Sequence, residues 1–364
     1  MLILFGSIWK KKTDTSSCRQ EKKSVWSKNH WPGKDIAIDL GTENIVIYVK
    51  KRGIVVNEPS VIAVDTERNT VVAVGKEAYA MQGRTPGNIA AYHPLQAGVI
   101  ADYDATAYML HYFIGKAIGK VRLFKPRVLV CVPSGITNVE RRAVMEALVQ
   151  AGAGKIVIME ETLAAAVGAG IDTARSNGSM VVDLGGGTTD VAVLSLSGIV
   201  ISASLRLGSR TFDQAVQQYL ERYKHITVGC CTAEKLKILI GTALADGKQD
   251  TAVVHGRSTE TGLPAEADID SQEIRQALQE PLDCILKTIL DMLEKTPPEL
   301  AADIADHGIL LTGGGMLLDG LDRLIVQKTG IAAYLCEAPL LCVAQGAGKA
   351  LRHMNDFKNN MEDI

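Results

Sequence analysis

Two stretches of this chain are copies of one another. Residues 35–55, DIAIDLGTENIVIYVKKRGIV, recur as residues 179–200, SMVVDLGGGTTDVAVLSLSGIV. Each copy reads as an apolar strand, an Asp-Leu-Gly turn with a threonine, a second strand and a later Gly-Ile-Val. Asp39 and Asp183 hold equivalent places 144 residues apart (183 − 39), about one domain length. Acid, glycine and threonine recur in register, which two unrelated apolar hairpins have no reason to do. The repeat therefore predicts two related domains facing each other. With 364 residues, 47% of them hydrophobic, the chain has material for about two such cores.

The turns carry the chemistry. An acid at the end of an apolar strand is expensive to bury unless something compensates its charge. Glycines let backbone N–H groups approach an anion with no Cβ in the way, and DLGGGTTD supplies Gly185, Gly186 and Gly187 in a row, with the Thr188 hydroxyl after them. Thr42 offers a second hydroxyl in the other turn. An acid would repel a phosphate directly, so the fitting partner of Asp39 and Asp183 is a hydrated Mg2+ ion, which takes few carboxylates and keeps several waters. Two such turns predict one Mg-nucleotide held between opposite walls. A third cluster, ILLTGGGMLLDGL, follows a strand and opens a helix, a place for a ribose or base against bare backbone. In TAEKLKILIG, Glu234 and Lys237 lie three apart on one helix face, within reach of one ligand.

Between the motifs the chain alternates strands and helices, which predicts an α/β architecture. DIAIDLG, NIVIYVK, GIVVNEPSVIAV, RVLVCVPSG and KIVIME read as strands. VERRAVMEALVQAGA reads as a helix ending at Gly152, and ETLAAAVGAG as a small-residue helix able to pack closely. The net charge of −2 argues against binding of nucleic acid through a global basic field while leaving local patches open, and nothing in the chain resembles a nucleic-acid module. Seven cysteines without C-x-x-C spacing read as reduced, buried thiols rather than a disulfide or zinc framework.

The first residues, MLILFGSIWKKK, are too short an apolar run to span a bilayer, and their charge order is the reverse of a secretory signal. Leu2, Ile3, Leu4, Phe5, Ile8 and Trp9 are placed to lie in a membrane surface, with Lys10, Lys11 and Lys12 meeting anionic head groups at about 1 kcal/mol each. A disordered leader or a start-site artefact is the other reading of the same residues.

DLGTEN, VVDLGGGTTD, AEKLK and LTGGG, in this order, resemble the nucleotide-binding motifs of the actin-like ATPases. GIVVNEPSVIAV, GRTPGNIAA, GVIADYDAT, PRVLVCVPSGITNVERRAV, TPPELAADIADHGILLTGGG and GLDRLIVQKTGI resemble the MreB/Mbl family of rod-shape-determining bacterial actin homologues, over residues 35 to 353. The resemblance implies an actin-like ATPase fold: two duplicated ribonuclease-H-like lobes around a nucleotide cleft. It implies a leader at 1–34, a first lobe at 35–170 with a small outer insertion near 63–100, a second lobe at 171–335 with an outer part near 207–270, and a return to the first lobe at 336–364.

On that resemblance Asp39 and Asp183 hold Mg2+ through water, and Gly41, Thr42, Glu43 and Asn44 contact the phosphates of ATP together with Gly185 to Thr188. Glu234, Lys235, Leu236 and Lys237 contact the nucleoside, as do Gly313, Gly314, Gly315 and Met316. Glu161, with Thr188 beside it, matches the acid that orients the attacking water. Phosphoryl transfer asks for an oriented nucleophile more than for covalent catalysis, which suits a carboxylate there. The resemblance further implies weak ATPase activity coupled to filament dynamics. Its implied partners are further copies of the chain in paired protofilaments, the inner face of the cytoplasmic membrane, and shape and wall-synthesis proteins, with no nucleic acid.

The chain departs from the family pattern at several positions. Thr162 stands where a proline is usual after Glu161, which predicts a looser helix start. Ser209 and Arg210 replace a glycine and an acid, placing a cation near the cleft, and Leu239 and Asp190 replace acids of the pattern. Two other functions share this fold: a divergent paralogue that modulates a main filament protein, and a small-molecule kinase, for which no substrate-domain signature is found.

Overall fold

The structure, a computed structural model, describes residues 33–119 and 124–352. The leader residues Leu2 to Lys12, Cys18 and the last residues of the chain lie outside that range. No helix among the described residues is long and apolar enough to cross a membrane.

Each copy of the repeat builds half of a five-stranded sheet. In the first sheet the order is Lys155–Glu160, Arg127–Val132, Asp35–Leu40, Asn44–Val49, Gly53–Pro59. In the second it is Ala333–Leu335, Ile309–Thr312, Ser179–Leu184, Thr189–Ser195, Gly198–Leu205. Both sheets have a three-stranded antiparallel meander on one side and two parallel strands on the other. Asp39 pairs in register with Val46 and Cys131, and Asp183 with Asp190 and Thr312. The strands bearing the two acids are buried on both faces, as the near-continuous runs IAI and MVV require.

Helices fill the space on either side. Tyr103–Ile118 and Asn138–Gln150 cover the first sheet, around Phe113, Ile38 and Val130, while Ser209–Lys224 and Ser271–Lys295 cover the second, around Phe212, Val193 and Ile285. The helix start at Asn138 is fixed by a capping box: Thr137 and Glu140 each satisfy the other's backbone N–H. Past its end, Gly152 takes φ 96°, the left-handed region that favours glycine.

A third core lies between the sheets, built from small side chains. Helices Glu161–Ala169 and Cys342–Ala350 pack on each other here, with Ala37, Leu129 and Val181 from the sheets beneath them. A Cβ on Gly346 would run into the Ala164 carbonyl, and one on Gly168 into the Cys342 carbonyl, so the two backbones touch. This is the close packing expected of ETLAAAVGAG; its partner is the last described helix.

Each lobe also carries an outer sheet: Thr70–Val74, Ile62–Asp65 and Ile89–Tyr92 with helix Lys76–Met81, and Ile226–Thr227, Thr251–Ser258 and Pro264–Asp270. GIVVNEPSVIAV, expected as one strand, is divided between the main sheet and this first outer sheet. The chain turns at Pro59, which lacks a ladder N–H, and Ser60, whose hydroxyl donates to the Gly41 carbonyl (2.8 Å) and whose N–H donates to the Glu43 carbonyl (2.8 Å). Of the described cysteines, Cys131, Cys336 and Cys342 are buried free thiols, whereas Cys230 and Cys284 are exposed on helices, against the expectation of burial.

Candidate functional site

The C-terminal ends of the two acid-bearing strands meet at a cavity of about 480 Å³. It is lined by Asp39, Gly41 to Asn44 and Glu161 from one lobe, and by Asp183, Gly185 to Thr188, Glu234, Lys237 and Gly313 to Gly315 from the other. Such volumes are typical of sites for small ligands. Three of the expected contacts do not line it. Lys235 is exposed and Leu236 is buried, because residues next to Glu234 on a helix point to other faces; Met316 is turned into the second core by the short 3-10 turn Gly314–Leu317.

The glycine turn is held rigidly. Gly185 N–H donates to the Thr188 carbonyl (2.9 Å), and the Gly185 and Gly186 carbonyls accept from the Ser209 and Arg210 N–H groups (2.9 and 3.0 Å). There is no space for side chains: a Cβ on Gly186 would stand 2.9 Å from Glu43 Cβ, and one on Gly187 would stand 2.9 Å from Thr42 Cβ. In the opposite turn Thr42 Oγ1 accepts from Gly98 N–H (3.0 Å), which leaves its own O–H proton to donate elsewhere. His93 donates from Nδ1 to the Thr42 carbonyl (2.9 Å). Burial and the Arg210 charge lower the His93 pKa to about 4, so it is neutral and no ion partner of Glu43, although 4.0 Å away.

Carboxylates crowd the floor. Burial pushes the Asp39 carboxyl up to about 7. Glu161 and Asp183 are pushed well above the usual carboxylate range, first by burial and then by repulsion from Asp190, Asp39 and, for Glu161, Asp183. Acids from both lobes that repel one another this way are what a divalent cation relieves, and the oxygen donors and the glycine cradle beside them fit a Mg-phosphate group. Among the described residues no group of three or more His, Cys, Asp or Glu is arranged to grip a bare ion.

The departures from the pattern acquire definite places. Thr162 is fully buried and its hydroxyl bonds Ser134 Oγ (3.1 Å), while Ser134 N–H donates to Asp190 Oδ1 (2.8 Å). The start of the Glu161 helix is thus tied through the Thr162 hydroxyl at the position where a proline ring is usual. Arg210 does not point into the large cavity; its Nε lies 3.2 Å from Glu43 Oε1. Leu239 is exposed at the helix end, where its carbonyl accepts from Lys248 Nζ (3.2 Å). Sequence reasoning missed Tyr79, whose hydroxyl donates to Glu234 Oε2 (2.6 Å), and Asp213, which pairs with Lys237 at 2.7 Å.

The family described as MreB/Mbl protein matches residues 33–359. The chain is 50% identical over 323 residues to the cell shape-determining protein MreB of Escherichia coli K12, covering 87% of this chain and 93% of that protein. It is 44% identical over 322 residues to the cell shape-determining protein Mbl of Bacillus subtilis, covering 88% and 97%. Its structure is similar to that of Spiroplasma citri MreB5 bound to ADP, with TM-score 0.85 and 35% identity over 90% of this chain and 99% of that one. At 21% identity it shares the fold of a MamK double helical filament, with TM-score 0.74 over 88% and 98% of the two chains. The chain carries the actin-like fold and belongs to the MreB/Mbl family.

Proposed function

We propose that this chain is an ATP-binding filament subunit that assembles with copies of itself on the inner face of the cell membrane and there organises wall synthesis and rod shape. The observation that carries the reading is the convergence of two equivalent turns, with Asp39 and Asp183, on one cavity. Solved structures of Spiroplasma citri MreB5 hold ADP and AMPPNP, which supports a nucleotide in the same place here.

In that reading the Gly185–Gly187 backbone and the Thr42 and Thr188 hydroxyls hold the phosphates, while Glu234, Lys237 and the Gly313–Gly315 backbone hold the nucleoside. Asp39 and Asp183 would hold Mg2+ through its waters, and the bound ion supplies charge neutralisation for the β- and γ-phosphates. Glu161, fixed at the start of its helix by the Thr162–Ser134 bond, orients the attacking water. The leader, with Leu2, Ile3, Leu4, Phe5, Ile8, Trp9 and Lys10 to Lys12, is the proposed membrane contact.

Electron microscopy of the full-length protein on anionic lipid monolayers, with and without Mg-ATP, tests this. Paired filaments that need both lipid and ATP are the expected result. Nucleotide binding without filaments under any of these conditions would favour the modulating paralogue.

A further inference from the structure

We propose that Tyr79 and Arg210 close the cleft as a two-point clasp between the lobes, whose opening sets how fast nucleotide enters and leaves. The proposal rests on the reading of the cleft as a nucleotide site.

Both contacts join parts of the chain that the fold alone brings together. Tyr79 stands on the short helix Lys76–Met81 of the first lobe's outer sheet, and Glu234 on helix Cys230–Ile240 of the second lobe, 155 residues away in sequence. Their bond is 2.6 Å long. The second contact runs from Glu43, in the first phosphate-side turn, to Arg210 in the first turn of helix Ser209–Lys224, at 3.2 Å. Glu43, Tyr79 and Glu234 line the large cavity and also a second one of about 80 Å³ behind it. The clasp is therefore the wall between the two spaces. On another side the large cavity is bounded by Glu161 and Val343, from the helices packed between the sheets. The backbones there touch at Gly346 and Gly168, so that seam is the fixed side, and the polar wall is the side that opens.

The chemistry suits a clasp that releases. Burial pushes the Glu43 carboxyl up to about 7 against the pull of Arg210, so the ion pair is a weak one, and the two side chains, 25% and 34% exposed, regain water on opening at small cost. The Tyr79 phenol is kept protonated by burial and by its carboxylate partner, so it stays a donor. Arg210 lines only the smaller cavity and makes no wall of the larger one. Its loss removes a bond between lobes without removing a surface from the ligand, which separates a gate from a contact.

A gate and a ligand contact leave different kinetic marks. Weakening a gate speeds entry and exit together and leaves affinity nearly unchanged, whereas removing a contact speeds exit alone and weakens binding. The test is stopped-flow association and release of ADP carrying a fluorescent N-methylanthraniloyl group, with Mg2+, on the full-length protein and on Tyr79→Phe, Arg210→Gln and the double variant. Arg210→Gln, at a side chain that lines no part of the large cavity, is expected to speed both rates about three- to tenfold, from the usual worth of a partly exposed ion pair. Tyr79→Phe, which also frees the Glu234 carboxylate beside the ligand, is expected to speed release by at least as much, and the double variant more. In a cycle of Glu43→Gln with Arg210→Gln, the release rates are expected to be non-additive, because either change breaks the same pair. In Arg210→Gln, unchanged rates, or faster release with unchanged association and a matching loss of affinity, would overturn the clasp. Failure of the unaltered protein to bind the nucleotide would overturn the nucleotide reading itself and the clasp with it, and the titration preceding the kinetics shows this separately.

Discussion

The two turns that follow Asp39 and Asp183 are copies of one motif that have become complementary. In the first, after Asp39, the chain uses side chains: Thr42 faces Gly98 and Gly187, and Glu43 reaches Arg210. In the second, after Asp183, it uses bare backbone, and Gly186 and Gly187 lie against Glu43 and Thr42 of the first turn. The second turn is glycine-rich because the first occupies the space its side chains would need. A duplicated unit thus supplies two different walls, one of side-chain donors and one of backbone donors, and each explains the composition of the other.

The largest expected effect concerns what the two turns still share. Asp183→Ala should abolish the rise in melting temperature that Mg-ATP gives, a rise of free-energy size RT ln(1 + [L]/Kd) in a binding protein. Asp39→Ala should do the same, and a retained shift in either variant would show that the two acids are not equivalent. Next comes an acid with no counterpart in the comparison. Glu161→Ala should keep the Mg-ATP shift but slow phosphate release at least about tenfold if, as proposed, it orients water rather than binding the nucleotide; a normal release rate would remove it from the mechanism.

The smallest effect sharpens the contrast between the turns. Gly187→Ala should lower stability by about 1–3 kcal/mol in urea unfolding, because the new methyl must displace Thr42 and Ala97. Gly185→Ala should cost under about 1 kcal/mol, since its Cβ would meet only the Thr188 carbonyl at 3.5 Å and the Thr188 hydroxyl at 3.8 Å, both ordinary contacts. Equal costs at the two positions would mean that the turns do not interlock.

Much of this was legible in the residues. The repeat marked the two equivalent strands, which run from Asp35 to Leu40 and from Ser179 to Leu184, and ETLAAAVGAG announced a helix built for close approach. Motifs of this kind are readable because strand, turn and glycine preferences act over a few residues. Where neighbours in sequence were grouped as one site, the reading was too wide. Lys235 and Leu236 accompany Glu234 in AEKLK but leave the cavity, because a helix turns successive side chains by about 100°. GIVVNEPSVIAV was too long a strand for the same sort of reason: its break at Pro59 and Ser60 is set by hydrogen bonds to Gly41 and Glu43, in another turn.

The sequence by itself determined the duplication, the pair of acids that face the cleft, the glycine turn and the family. Each is written in residues close together, where local geometry and composition suffice. Only the tertiary structure decided that Tyr79 meets Glu234, that Arg210 pairs with Glu43 instead of facing the large cavity, and that Thr162 is tied to Ser134. Those pairs join side chains from 28 to 167 residues apart (162 − 134 and 210 − 43). Their partners are chosen by how the lobes and their turns pack together, which no local preference encodes.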